Sequence, residues 1–122
     1  MDASQRIAQI IVITFLALSA SSAFPHSIII RSNPVADAVL QTAPREIAIF
    51  FSERIQAARS SIVVEDANGS RVDNGDSGVD ANGRVMRVSL KNLSAGTYNV
   101  TWRAQSVDTH NSEGRYSFRV QQ

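Results

Sequence analysis

Cysteine is absent from the 122-residue chain. No disulfide can staple its fold, and no thiolate is available to hold zinc or copper(I). A metal site would have to use imidazole, carboxylate, amine or thioether. An excess of charge of one sign is missing too: 12 Lys and Arg against 11 Asp and Glu give a formal net charge of +1. The basic residues are spread among acidic ones rather than gathered in a run, which argues against nucleic acid as a partner. Internal repeats and low-complexity tracts are lacking, and no convincing helix of about ten residues follows the first apolar run. With 43% hydrophobic and 19% charged residues, the chain reads as a soluble globular domain rather than a disordered one.

The longest apolar run lies at the start. Met1 to Arg6 is a weakly positive region, Ile10 to Ala20 is apolar, and Ser21-Ser22-Ala23 supplies small residues. A membrane helix needs about twenty apolar residues, so this pattern fits a secretory signal better. Residues 1–25 are expected to be that signal, and 26–122 one exported, periplasmic domain. Two cleavage points compete. The small residues favour a cut before Phe24, whereas a cut before His26 puts Pro25 in the last leader position, which signal peptidase disfavours. A Phe24-Pro25-His26 terminus cannot form the usual square-planar chelate, because proline has no backbone N–H to deprotonate. Removal of Phe24-Pro25 would free the His26 amine beside its imidazole.

Beyond Ser27 the pattern is that of strands. Ile28 to Arg31 opens an extended run that Asn33-Pro34 breaks; Ile47, Ile49 and Phe51 share a face; Ser61 to Glu65 follows. Asp66-Ala67-Asn68-Gly69 signals a turn, and Asn74-Gly75, Ser77-Gly78 and Asn82-Gly83 punctuate a polar stretch read as loops. Met86, Val88 and Leu90 alternate with Val85, Arg87 and Ser89. Tyr98, Val100, Trp102 and Ala104 alternate with Asn99, Thr101, Arg103 and Gln105, and Tyr116, Phe118 and Val120 close the series. Glu53 to Ser60 is the one helical hint. About seven short strands predict an all-β, immunoglobulin-like Greek-key β-sandwich, with Trp102 and Met86 in its core.

Only two histidines occur, His26 and His110. His110 stands in the pattern Asp108-x-His110 between two strands, and in an extended backbone both side chains would leave on one face, about 6 to 7 Å apart at Cα. An amine, two imidazoles and a carboxylate would supply three nitrogens and an oxygen, a set that suits copper(II), with zinc as competitor. A D-x-H pattern is also what an ordinary polar turn carries, so spacing alone leaves both readings open.

Five blocks in order add a resemblance: His26-Ser27; Ser32 to Ala38; Ile49-Phe50-Phe51-Ser52-Glu53; Gly96 to Arg103 with Ser106-Val107-Asp108-Thr109-His110; and Gly114 to Phe118. Together they resemble the CopC family of periplasmic copper-resistance proteins across nearly all of residues 26–122. The resemblance implies a small Greek-key β-sandwich that binds Cu(2+) through the amino-terminal His26 with its own amine, Asp108 and His110. It also implies that Glu53 supports or supplements the copper shell. Where many members carry Gly-His-Pro, this chain has Thr109-His110-Asn111. Some members carry a Met-rich loop for copper(I), and here Met86 is the single methionine after the leader.

The resulting expectation is an exported, monomeric, non-enzymatic protein of copper homeostasis and resistance. It would sequester copper ion and pass it to an inner-membrane copper transporter of the CopD type. Binding should weaken as the pH falls through the ordinary imidazole range near about 6.5, since a protonated ring cannot ligate. Two other classes fit the chain less well. A histidine-brace copper monooxygenase would yield oxidised sugars with copper and a reductant, but Asp108 would occupy a position that oxygen needs. A metal-free immunoglobulin-like interaction module would show no copper-dependent rise in melting temperature.

Overall fold

The computed structural model describes residues 29–121; the leader and His26 lie outside the described residues. Eight strands fill this span: β1 (Ile29–Asn33), β2 (Val39–Leu40), β3 (Glu46–Phe51), β4 (Ser61–Asp66), β5 (Gly78–Val79), β6 (Val85–Ser89), β7 (Gly96–Gln105) and β8 (Asn111–Val120). They form two four-stranded sheets, ordered β1-β3-β6-β5 and β2-β8-β7-β4, packed as a sandwich. The count exceeds the expected seven because β2 and β5 are two residues each, too short to show a periodicity of two. Glu53 to Ser60 holds only a 3-10 turn at Ala57–Arg59 with no buried residue, so no apolar face exists to stabilise a longer helix.

The alternation in β7 becomes burial: Tyr98, Val100, Trp102 and Ala104 face inward against Ile47, Ile49, Phe51, Met86, Val88 and Phe118. Two aromatic contacts fix the packing. Phe51 meets Trp102 edge-on with ring centroids 5.4 Å apart, and Tyr98 stacks on Phe118 at 5.5 Å. The Tyr98 hydroxyl donates back to the Ser94 carbonyl at 2.7 Å, the kind of corner that pins strand entry in immunoglobulin-like sandwiches.

The polar stretch after Arg71 is not a set of free loops. It is a strap along the outer edge of β4 that crosses to the other sheet. Val64 N–H donates to Asp73 Oδ2 at 2.8 Å, and Ile62 N–H donates to Ser77 Oγ at 3.0 Å. On the far side Asn74 N–H donates to the Ser89 carbonyl, and the Ser89 N–H donates to Asp76 Oδ1. The exposed ladder groups of an edge strand are thereby satisfied within the chain. Asp73, 3% exposed, also takes Arg71 in a two-pronged ion pair, with the shorter contact at 2.7 Å.

Candidate metal centre

β7 and β8 form a ten-rung antiparallel ladder that ends at Gln105 opposite Asn111. The hairpin connection between them carries Asp108 and His110. Ser106 N–H donates to the His110 carbonyl at 2.9 Å, and Thr109 N–H donates to the Ser106 carbonyl at 2.9 Å. Val107 and Asp108 thus occupy a tight turn, and Thr109 follows with φ of 73°. A turn followed by one left-handed residue is a common three-residue hairpin loop. Glycine normally supplies the left-handed residue, and here a β-branched threonine bears that conformation beside the site. The Gly of the Gly-His-Pro pattern stands at the same place.

The turn, rather than an extended strand, therefore brings the pair together. His110 Nδ1 stands 3.1 Å from Asp108 Oδ1, and the two side chains are 49% and 57% exposed. With metal bonds of about 2.0–2.1 Å, neighbouring donors in square or tetrahedral arrangement stand about 2.8–3.4 Å apart. The imidazole nitrogen and the carboxylate oxygen are already at that separation. They can share a proton when no ion is present and share an ion when one is.

Ser106 organises the pair and was not singled out by spacing. It is fully buried, its hydroxyl donates to Asp108 Oδ1, and its oxygen accepts the His110 N–H at 3.1 Å. The hydroxyl contact is the main reason the Asp108 carboxyl is held below the ordinary aspartate range; slight desolvation opposes it and His110 adds to it. A carboxylate kept ionised has no proton to give up before it ligates. The only signal in the sequence was a small hydroxyl residue two places before Asp108.

Glu53 lies on the neighbouring segment. Ile55 bridges Ser106 and the Arg54 carbonyl accepts the Val107 N–H at 3.0 Å, so the chain carrying Glu53 runs beside the hairpin. Among the described residues no three His, Cys, Asp or Glu side chains gather into a group that could hold a metal ion. Asp108 and His110 are brought together, Glu53 is not joined with them, and His26 falls outside the described residues. Met86 is wholly buried between the sheets, which removes its thioether from any surface site.

A small two-sheet β-sandwich that offers an imidazole and a carboxylate at one exposed hairpin defines a class of compact domains with a candidate metal pair at one end. Residues 29–121 match the family model of the CopC domain, and the chain belongs to the CopC domain family. It is 32% identical over 127 residues to the copper resistance protein C of Xanthomonas campestris pv. juglandis, with 98% of this chain and 99% of that protein covered. It is 33% identical over 113 residues to the copper transport protein CutJ of Bacillus subtilis; there 91% of this chain spans only 21% of the relative's length. Among solved structures, CopC from Methylosinus trichosporium OB3b superposes with a TM-score of 0.73 at 29% identity, covering 78% of this chain and 93% of that one. PcoC, a methionine-rich copper resistance protein from Escherichia coli, gives 0.70 at 31% identity, covering 79% and 99%. No helix among the described residues is long and apolar enough to cross a membrane.

Proposed function

We propose that this protein is an exported, periplasmic copper(II) carrier of copper homeostasis and resistance, with Asp108 and His110 as fixed ligands and His26 as the third residue of the shell. The observation that carries the reading is the 3.1 Å approach of His110 Nδ1 to Asp108 Oδ1 on an exposed hairpin. Imidazole and carboxylate donors without thiolate or accessible thioether favour copper(II) over copper(I). The names of the relatives, copper resistance protein C and a copper transport protein, support copper over zinc.

Strand register supports the role of His26. Ile29 pairs with Phe51, and the chain continues from Phe51 to the Ile55–Ser106 bridge beside the hairpin. The polypeptide thus enters the sandwich at the end that holds Asp108 and His110. His26 precedes Ile29 by three residues in the sequence, a reach of at most about 11 Å. Glu53, on the segment between, would supplement the shell through water or by support of a ligand.

The half-exposed pair suits loading and release, as expected of a carrier rather than an enzyme. The recipient would be a membrane copper transporter of the CopD type. A domain similar to this chain occupies a fifth of a copper transport protein, which supports a working association between such domains and transport. Isothermal titration of the metal-free protein with copper(II) should give one ion per chain. A His110→Ala variant that kept full affinity would overturn the assignment.

A further inference from the structure

Although the net charge is near zero, the period of two in β7 and β8 sorts charge onto one outer face. Arg103, Arg115 and Arg119 are exposed on the same side of the β7–β8 ladder, at rungs Arg103–Glu113, Thr101–Arg115 and Thr97–Arg119. Arg59, exposed on the 3-10 turn that packs on β7, adds a fourth guanidinium. Glu65 and Glu113 are the carboxylates of this region, and none of the four arginines forms an ion pair among the described residues. On the opposite sheet the acids are already engaged: Arg87 holds Glu46 at 2.6 Å and Asp80 at 3.1 Å.

Two of the four, Arg59 and Arg103, line an open groove of about 740 Å³ together with Ser61, Gln105, Asn111 and Glu113, among others. Gln105 and Asn111 form the last rung before the hairpin, joined by a 2.9 Å side-chain hydrogen bond. His110 is the next residue. The groove therefore ends at the candidate metal pair, and the two guanidinium groups that line it outnumber its one carboxylate, Glu113.

We propose that this groove and the arginine face that continues from it receive an acidic segment of the protein that takes copper from the Asp108–His110 end. This rests on the carrier reading above. Carboxylates of an extended partner segment would pair with Arg59 and Arg103, since guanidinium forks match carboxylates in two-pronged geometry. Its own metal-binding side chain would then arrive beside the hairpin. Charge on both partners would steer the encounter and set its orientation.

The test is titration of the metal-free protein with a synthetic decaglutamate peptide, followed by backbone amide shifts. Shifts are expected at Arg59, Arg103, Gln105, Asn111 and Glu113, weakening as ionic strength is raised toward about 0.15 M. The double variant Arg59→Glu/Arg103→Glu should lose about tenfold or more in peptide affinity, while its copper(II) affinity stays that of the wild type. Arg45→Glu, before β3 on the other sheet, should bind the peptide as the wild type does. The proposal fails if the double variant binds the peptide unchanged, if Arg45→Glu loses as much, or if phosphatidylglycerol vesicles engage these arginines and the peptide does not. A wild-type chain that binds the peptide here but no copper(II) would overturn the metal-accepting identity of the partner and leave recognition of acidic segments standing.

Discussion

Ser106 holds His110 by both backbone groups: its N–H donates to the His110 carbonyl at 2.9 Å, and its hydroxyl oxygen accepts the His110 N–H at 3.1 Å. The same hydroxyl donates to Asp108. One buried serine thus fixes the backbone of one candidate ligand and the carboxylate of the other. Ser106→Ala would remove the acceptor of the His110 N–H and the donor to Asp108, at a cost of about 1–2 kcal/mol in stability. Because the groups that orient ligands typically matter about 10–100-fold in metal affinity, copper(II) binding should weaken by at least about tenfold. Titration of Ser106→Ala beside Ser106→Thr, which keeps a hydroxyl, separates this role from simple packing. Equal affinity in all three proteins would remove Ser106 from the centre.

Gly114 stands opposite Trp102 in the β7–β8 ladder, and a Cβ placed on it would lie 2.8 Å from the indole ring. That contact is shorter than any real side chain tolerates, and the neighbour is a rigid ring wedged against Phe51. Gly114→Ala should therefore cost about 1–3 kcal/mol, the usual penalty of overpacking. Urea unfolding followed by the fluorescence of Trp102, the one tryptophan of the chain, checks it. An unchanged midpoint would mean that the ladder opens at no cost.

Legibility followed period. Strands with a clean alternation, such as Tyr98 to Ala104, could be read because one face was apolar at every second residue, and their burial is as the pattern required. The strap from Arg71 to Val79 could not be read, because it is held by side-chain carboxylates and hydroxyls meeting backbone N–H groups of a distant strand. Asp73 looks like any loop aspartate in the sequence. At the site, the D-x-H spacing was visible, but the geometry that joins Asp108 to His110 depends on Thr109 adopting a positive φ, which residue type argues against. The arginine face was hidden for the opposite reason: Arg115 and Arg119 share one strand, but Arg59 and Arg103 lie far from them in the chain and join them only through the register of β7 and β8 and the packing of the 3-10 turn.

Asp73 gives a pH dependence with a definite sign. Burial raises its pKa, but the hydrogen bonds from Arg71 and from the Val64 and Gly75 N–H groups, together with the Arg71 charge, outweigh burial and hold it below the ordinary value. A lowered folded pKa means that the stabilisation is complete above the unfolded value of about 3.9 and is lost as pH falls through the folded value. Wild-type stability in urea should decline below about pH 4. Asp73→Asn should be less stable at neutral pH by about 1–3 kcal/mol, with a shallower acid limb. The limb does not vanish, because the carboxyls of Asp76 and Asp108 are also held low. Parallel acid limbs in the two proteins would show that Asp73 does not set the slope.

On the proposed copper(II) reading, the chain terminus sets the strength of the shell. If the exported protein begins at His26, its amine and imidazole add two nitrogens to His110, giving three nitrogens and the Asp108 oxygen in a set that copper(II) prefers. If it begins at Phe24, the amine is two residues away, and Pro25 offers no N–H to replace it. Intact mass of the exported protein distinguishes the two termini. A protein extended by one glycine before His26 should lose about tenfold or more in copper(II) affinity, equivalent to about 1.4 kcal/mol. Its electron paramagnetic resonance should show fewer coordinated nitrogens. Unchanged affinity and an unchanged nitrogen count would mean that the amine is not a ligand, and that His26, if bound, acts through its ring alone.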